Sequence, residues 1–89
     1  MTTSIILINV KRSMLKEATE QVKNISGVTE VYTVAGEYDL VAMLRMKDPS
    51  KLSAVLTEEM SNIEGVTHTK TLFALGVLSS FDLDKIFSV

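Results

Sequence analysis

The spacing of apolar and polar positions changes several times along the chain, and each change marks an element. Residues 3–10, Thr3-Ser4-Ile5-Ile6-Leu7-Ile8-Asn9-Val10, are rich in β-branched side chains and apolar on both parities. That is the pattern of a central strand covered on both faces. From Ser13, a candidate N-cap, the period lengthens. Met14, Leu15, Ala18, Val22 and Ile25 fall on one helical stripe, with Lys16, Glu17, Glu20 and Lys23 away from it, and Gly27 supplies the stop. Alternation returns over 28–35, with Val31, Thr33 and Ala35 on one side and Val28, Glu30, Tyr32 and Val34 on the other. Gly36 to Tyr38 then reads as a tight hairpin turn into a strand over 39–46, apolar on both faces like the first.

Asp48-Pro49 opens a second helix, because proline at the first helical position lacks an N–H the helix would leave unpaired anyway. Its stripe is Leu52, Val55, Leu56, Met60 and Ile63, and Gly65 closes it. Residues 66–75 predict a fourth strand, with Thr67, Thr69 and Thr71 on one side and Val66, His68, Lys70 and Leu72 on the other. The stretch from Gly76 to Val89 is too apolar for a solvated tail and is expected to dock on its own or a partner subunit.

One repeat ties these elements together. Asn24-Ile25-Ser26-Gly27-Val28-Thr29 returns as Asn62-Ile63-Glu64-Gly65-Val66-Thr67, each copy at the join of a helix and the following strand. Two such β-α-β halves with right-handed crossovers interleave as a ferredoxin-like α+β fold. The expected domain covers residues 1–75, an antiparallel four-stranded sheet with the first and third strands central and both helices on one face, followed by the extension 76–89. The other face is left bare and apolar. Its natural cover is a second subunit's sheet, giving a dimeric α+β barrel.

Composition narrows the function. An 89-residue chain that is 46% hydrophobic has more apolar surface than so small a monomer hides, so oligomerisation is expected. Net charge is −2 with lysines and arginines scattered, which argues against direct nucleic-acid binding and against an anionic membrane surface. There is no cysteine, no leader-like stretch and no span, and the expected setting is soluble and cytoplasmic. His68 stands alone without a second metal ligand, and no phosphate loop or nucleophile–base set is present. No cofactor, metal site or catalysis is indicated.

The corner Gly36-Glu37-Tyr38-Asp39-Leu40 holds the candidate chemistry. A small zwitterion needs donors for its carboxylate and an acceptor for its ammonium. Backbone N–H groups around Gly36 suit the first and Asp39 the second. The plainer reading is a hairpin turn in which Asp39 caps its own backbone, with the threonines a β-propensity stripe. Tyr32 and Phe73 read as core or interface, and Arg45 with Glu58 and Glu59 as solvated surface charges.

The run Val31-Tyr32-Thr33-Val34-Ala35-Gly36-Glu37-Tyr38-Asp39-Leu40, followed by Gly65-Val66-Thr67-His68-Thr69-Lys70-Thr71, resembles the effector-binding (RAM) domain of the Lrp/AsnC transcription regulators. The resemblance covers nearly the whole chain. It implies an amino-acid-binding module, dimeric through its sheets and assembled further, with an octamer expected, and ligands held where dimers meet. Carried over residue by residue, the ligand contacts fall on Gly36, Tyr38, Asp39, Thr69 and Thr71. Longer family members carry a preceding helix-turn-helix. This chain begins at its first strand, so a stand-alone form is expected, acting on assembly or on a full-length DNA-binding relative. The rival expectation is a small dimeric α+β-barrel enzyme working through His68 or Tyr32.

Overall fold

The computed structural model describes residues 2–77. The docking expected of the apolar extension, from residue 78 on, lies outside the described residues. The chain runs β1 (Thr2–Val10), a 3-10 turn (Arg12–Met14), α1 (Leu15–Lys23), β2 (Val28–Thr33) and β3 (Leu40–Met46), and ends in β4 (Val66–Phe73). Between β3 and β4 lies a continuous helical stretch, called α2 below. It passes from a 3-10 turn, Pro49–Lys51, through an α turn, Leu52–Ala54, to a π-helical piece, Val55–Met60. The four strands form one antiparallel sheet in the order β2-β3-β1-β4, the expected ferredoxin-like topology.

The core lies between the sheet and the helices. Ser4, Ile6, Ile8 and Val10 of β1 and Leu40, Ala42 and Leu44 of β3 are buried on the helix face. Ala18, Val22 and Ile25 pack there from the α1 side, and Leu52, Val55, Met60 and Ile63 from the α2 side. Both predicted helical stripes therefore face the sheet. Burying a side chain of this size is worth roughly 1.5–3 kcal/mol.

The repeat does the same structural work twice. Gly27 and Gly65 have φ of 97° and 96°, a left-handed conformation that only glycine adopts without strain. Each carbonyl then accepts an N–H from the other half, Gly27 from Arg45 and Gly65 from Lys11, both at 2.8 Å. The threonine two positions on is a β-bulge in each copy, since Val28 and Glu30 oppose Leu44 and Met43, and Val66 and His68 oppose Val10 and Asn9. Each bulge hydroxyl donates to the facing strand, Thr29 to the Met43 carbonyl at 3.3 Å and Thr67 to the Asn9 carbonyl at 3.2 Å. The extra residue reverses the parity of what precedes it. Val28 and Val66 thus pack on the helix-side core, where simple alternation puts them with Glu30 and His68 on the other face.

The helix starts differ from each other. Ser13 lies inside the 3-10 turn and makes no capping hydrogen bond, contrary to expectation. Asp48 does cap: its carboxylate accepts from the Ser50 hydroxyl at 2.7 Å and from the Ser50 N–H at 3.0 Å, which holds it below the ordinary carboxylate range. Farther along α2, Thr57, Ser61 and Asn62 turn side-chain donors onto the carbonyls of Ser53, Leu56 and Glu58, competing with the helical ladder where its pitch widens.

Opposite the helices the sheet carries no layer among the described residues. Ile5, Leu7, Val41 and Met43 are half-buried there, and Leu72 is exposed. Arg45 stands on this same face, where its guanidinium pairs with Glu30 at 2.8 Å and also donates to Thr29, while the Tyr32 hydroxyl donates to Glu30 at 2.9 Å. Arg45 is therefore a cross-strand partner of Glu30 and does not belong with Glu58 and Glu59 of α2. These bonds, the one from Arg45 foremost, lower the Glu30 pKa, and the Glu30 carboxylate raises that of Tyr32.

Two outcomes follow from this architecture. Gly65→Ala sets a Cβ 2.5 Å from Met14 Cβ at a positive φ, whereas a Cβ on Gly36, with φ 139°, meets nothing within 4 Å. Urea denaturation at fixed protein concentration is expected to show Gly65→Ala costing on the order of 3 kcal/mol and Gly36→Ala on the order of 1 kcal/mol. Equal losses would contradict the close-packed join. Because the Glu30 pKa is depressed in the folded chain, its contribution is present above the ordinary glutamate range and is lost as pH falls through the folded value. Glu30→Gln is expected to lose less stability than the native chain between pH 7 and pH 3, read by denaturation midpoints. An unchanged difference would remove the network from the account.

Candidate functional site

The connection between β2 and β3 is wider than a tight hairpin turn. β2 ends at Thr33 and β3 begins at Leu40, and the Val34 N–H closes the loop by donating to the Asp39 carbonyl at 3.0 Å. Gly36 sits at its exposed crest. Asp39, half-buried, is bound to β1 twice. Its N–H donates to the Ile8 carbonyl at 3.0 Å, and its Oδ2 accepts the Val10 N–H at 2.8 Å, where β1 shifts register between Asn9 and Val10. Asp39 thus caps the backbone of a neighbouring strand and not its own. Among the described residues Oδ1 accepts no hydrogen bond.

Tyr38 reaches past the end of β1 to β4. Its ring stacks on His68 with centroids 6.1 Å apart and planes 25° off parallel. His68 faces Asn9 across the β1–β4 ladder, on the sheet side away from the helices. Periodicity along the chain leaves His68 alone, because nothing in sequence spacing connects residue 38 with residue 68. Strand order supplies the link.

Thr69 and Thr71 take a different place. They pair with Ile8 and Ile6 of β1 and lie half-buried on the helix side of β4. Since β1 separates β4 from β3, these threonines stand about 10 Å, two strand spacings, from the β3 line that continues into Asp39. The chain therefore gathers Gly36, Tyr38 and Asp39 at a corner and holds Thr69 and Thr71 apart from it.

Beside Asp39 is a cavity of about 290 Å³ lined by Val10, Arg12, Leu15 and Asp39. Arg12 comes from the 3-10 turn after β1 and forms no ion pair among the described residues. In the sequence it is one more cation between a strand and a helix, with no spacing that ties it to residue 39. Among the described residues no cluster of three metal-ligating side chains occurs, and no helix is long and apolar enough to cross a membrane.

Comparison with known proteins places this geometry. The family described as the Lrp/AsnC ligand binding domain matches residues 3–82. The transcriptional regulator FL11 of Pyrococcus furiosus is 35% identical over 72 residues, 81% of this chain and 47% of FL11, so the chain spans less than half of that relative. An uncharacterised helix-turn-helix-type regulator of the same organism is 37% identical over 57 residues, 64% of this chain and 38% of its own length. Among solved structures, TTHA0845 of Thermus thermophilus superposes with a TM-score of 0.83 at 37% identity, covering 89% of this chain and 99% of that one. AsnC of E. coli shares the fold, with a TM-score of 0.79 at 22% identity over 90% of this chain and 56% of AsnC. With the family match spanning both halves of the sheet and the whole Asp39 corner, the chain belongs to the Lrp/AsnC ligand-binding domain family.

Proposed function

We propose that this chain is a regulatory module that binds a small amino-acid effector at the Gly36–Asp39 corner and converts occupancy into a change of assembly. The observation that carries the reading is the state of Asp39: a half-buried carboxylate fixed through one oxygen to the Val10 N–H, beside a cavity, with the other oxygen free of protein donors among the described residues. Such a group accepts an ammonium with little reorganisation.

The separation of Thr69 and Thr71 from this corner fits a site shared between protomers, in which the threonines of one chain complete the corner of a neighbour. The bare sheet face fits a dimer beneath that site. Leu75 and Val77 are 100% and 91% exposed in the segment that follows β4, and that segment lines a cavity of about 440 Å³ with Ile5, Met43 and Arg45. A second copy of the sheet covers both. Dimers joined at their corners then form the higher oligomer, an octamer in the simplest closed arrangement. An effector with different affinity for free and joined corners shifts that equilibrium. Full-length DNA-binding members of the family share the domain, which makes mixed assemblies in the cytoplasm a natural output. The curated relatives compared above are named as transcriptional regulators, which favours this reading over an α+β-barrel enzyme.

Thermal denaturation against the twenty L-amino acids tests the site. An effector at a hundred times its Kd stabilises by about 2.7 kcal/mol, which for a domain of this size is on the order of 10 °C. The expected result is a shift with one or a few amino acids, abolished by Asp39→Asn, which keeps an oxygen for the Val10 N–H while removing the charge. No shift with any of the twenty would end the proposal. Analytical ultracentrifugation tests the face: Leu7→Glu is expected to move the sedimentation distribution to smaller species. An oligomer indifferent to that charge would show that the sheets do not meet.

A further inference from the structure

Arg12 is the feature that neither the sequence pattern nor the family comparison assigns. It lines the same small cavity as Asp39, together with Val10 and Leu15. The two opposite charges face one cavity without pairing with each other among the described residues. Neighbouring opposite charges that stay apart leave room for a ligand carrying both signs.

The backbone holds both charges from one short segment. The Val10 N–H fixes the Asp39 carboxylate at 2.8 Å, the next residue, Lys11, is pinned through its N–H to the Gly65 carbonyl at 2.8 Å, and the Met14 N–H returns to the Lys11 carbonyl at 2.9 Å. Arg12 thus projects from a turn tied at both ends. Main-chain bonds hold the backbone that carries Arg12 next to the strand end that binds Asp39. At about 290 Å³ the cavity sits at the small end of ligand pockets, a size suited to a free amino acid. Its two apolar walls offer no partner to a charged side chain.

We infer that Arg12 is the carboxylate receptor of the effector site, so that Arg12 and Asp39 form a clamp for the zwitterionic head of an α-amino acid with a compact, uncharged side chain. The guanidinium presents paired donors matched to a carboxylate, and Asp39 Oδ1 takes the α-ammonium. Backbone N–H groups at the Gly36 crest, the receptor expected from the sequence, are left to solvent or to a neighbouring protomer.

The inference rests on the effector reading above, and its test separates the two. Isothermal titration calorimetry on the full chain compares the amino acid that gives the largest thermal shift with its own α-carboxamide, which keeps the ammonium and side chain but loses the negative charge. The native chain is expected to prefer the acid by roughly tenfold to a hundredfold, the worth of a hydrogen bond to a charged group. Arg12→Gln should bind acid and amide alike, with its affinity for the amide unchanged, and Arg12→Lys should recover part of the preference. If Arg12→Gln still prefers the acid as the native chain does while Asp39→Asn loses binding, the carboxylate is held elsewhere. The inference then falls and the effector reading stands. If the native chain binds none of the twenty amino acids, both fall.

Discussion

The hydrogen bond from the Lys11 N–H to the Gly65 carbonyl decides where β1 stops, and most of what surrounds the candidate site follows from it. Gly65 reaches that position because its left-handed φ of 96° swings the chain off α2 without a Cβ to strike Met14. The Thr67 bulge immediately after it shifts the β1–β4 register, and the Val10 N–H turns to the Asp39 carboxylate for its acceptor. Arg12 then leaves β1 in the next turn, beside that carboxylate. A glycine carbonyl after α2 thereby helps fix the turn that carries Arg12 to the cavity beside Asp39. A buried N–H without an acceptor is expensive, so Asp39 is committed to the fold before it meets any ligand.

The sheet's uncovered face obeys a second constraint. Its central rows are apolar through Ile5, Leu7, Val41 and Met43, but one end carries Arg45, Glu30, Tyr32 and Thr29 bonded to one another. On an open surface, with Arg45 and Glu30 side chains 36% and 42% exposed, solvent screens such a pair and it contributes little. Under a second sheet its value changes in kind. Charges taken out of water must have every bonding site met, and here Tyr32 and Thr29 already stand in place to meet them. The network is thus arranged to tolerate being covered.

Much of the fold was legible in the amino-acid pattern. The change from strand to helix spacing at Ser13, the Asp48-Pro49 start and the apolar double parity of β1 and β3 each reflect a local rule that tertiary structure leaves in force. The repeated Asn-Ile-x-Gly-Val-Thr located both joins. What alternation missed was the bulge at its last residue: Val28 and Val66 face the core because Thr29 and Thr67 each insert one residue, and a period of two has no way to announce an insertion. Ser13 was misread because a favourable residue type does not guarantee cap geometry, and here the chain enters α1 through a 3-10 turn. At the site, Gly36, Tyr38 and Asp39 were near in sequence and visible together. Arg12 and His68 join them only through strand order, which brings residues 29 and 30 positions apart into contact through the Val10–Asp39 bond and the Tyr38–His68 stack.

The repeat also explains why the corner lies at one end of the sheet. The two joins are equivalent in their main-chain bonds, Lys11 to Gly65 and Arg45 to Gly27. They differ in what the nearby arginine meets, the donor Arg45 itself at one join and Arg12, next to the donor Lys11, at the other. At the Gly27 join the guanidinium of Arg45 is already taken by Glu30, a carboxylate of the chain's own second strand. At the Gly65 join the β2–β3 loop delivers Asp39, but the backbone of β1 claims one of its oxygens, and Arg12 is left without an anion among the described residues. The first join is satisfied internally. The second carries an unmatched charge of each sign around an open volume, so the near-symmetric halves leave one end available to a molecule from outside.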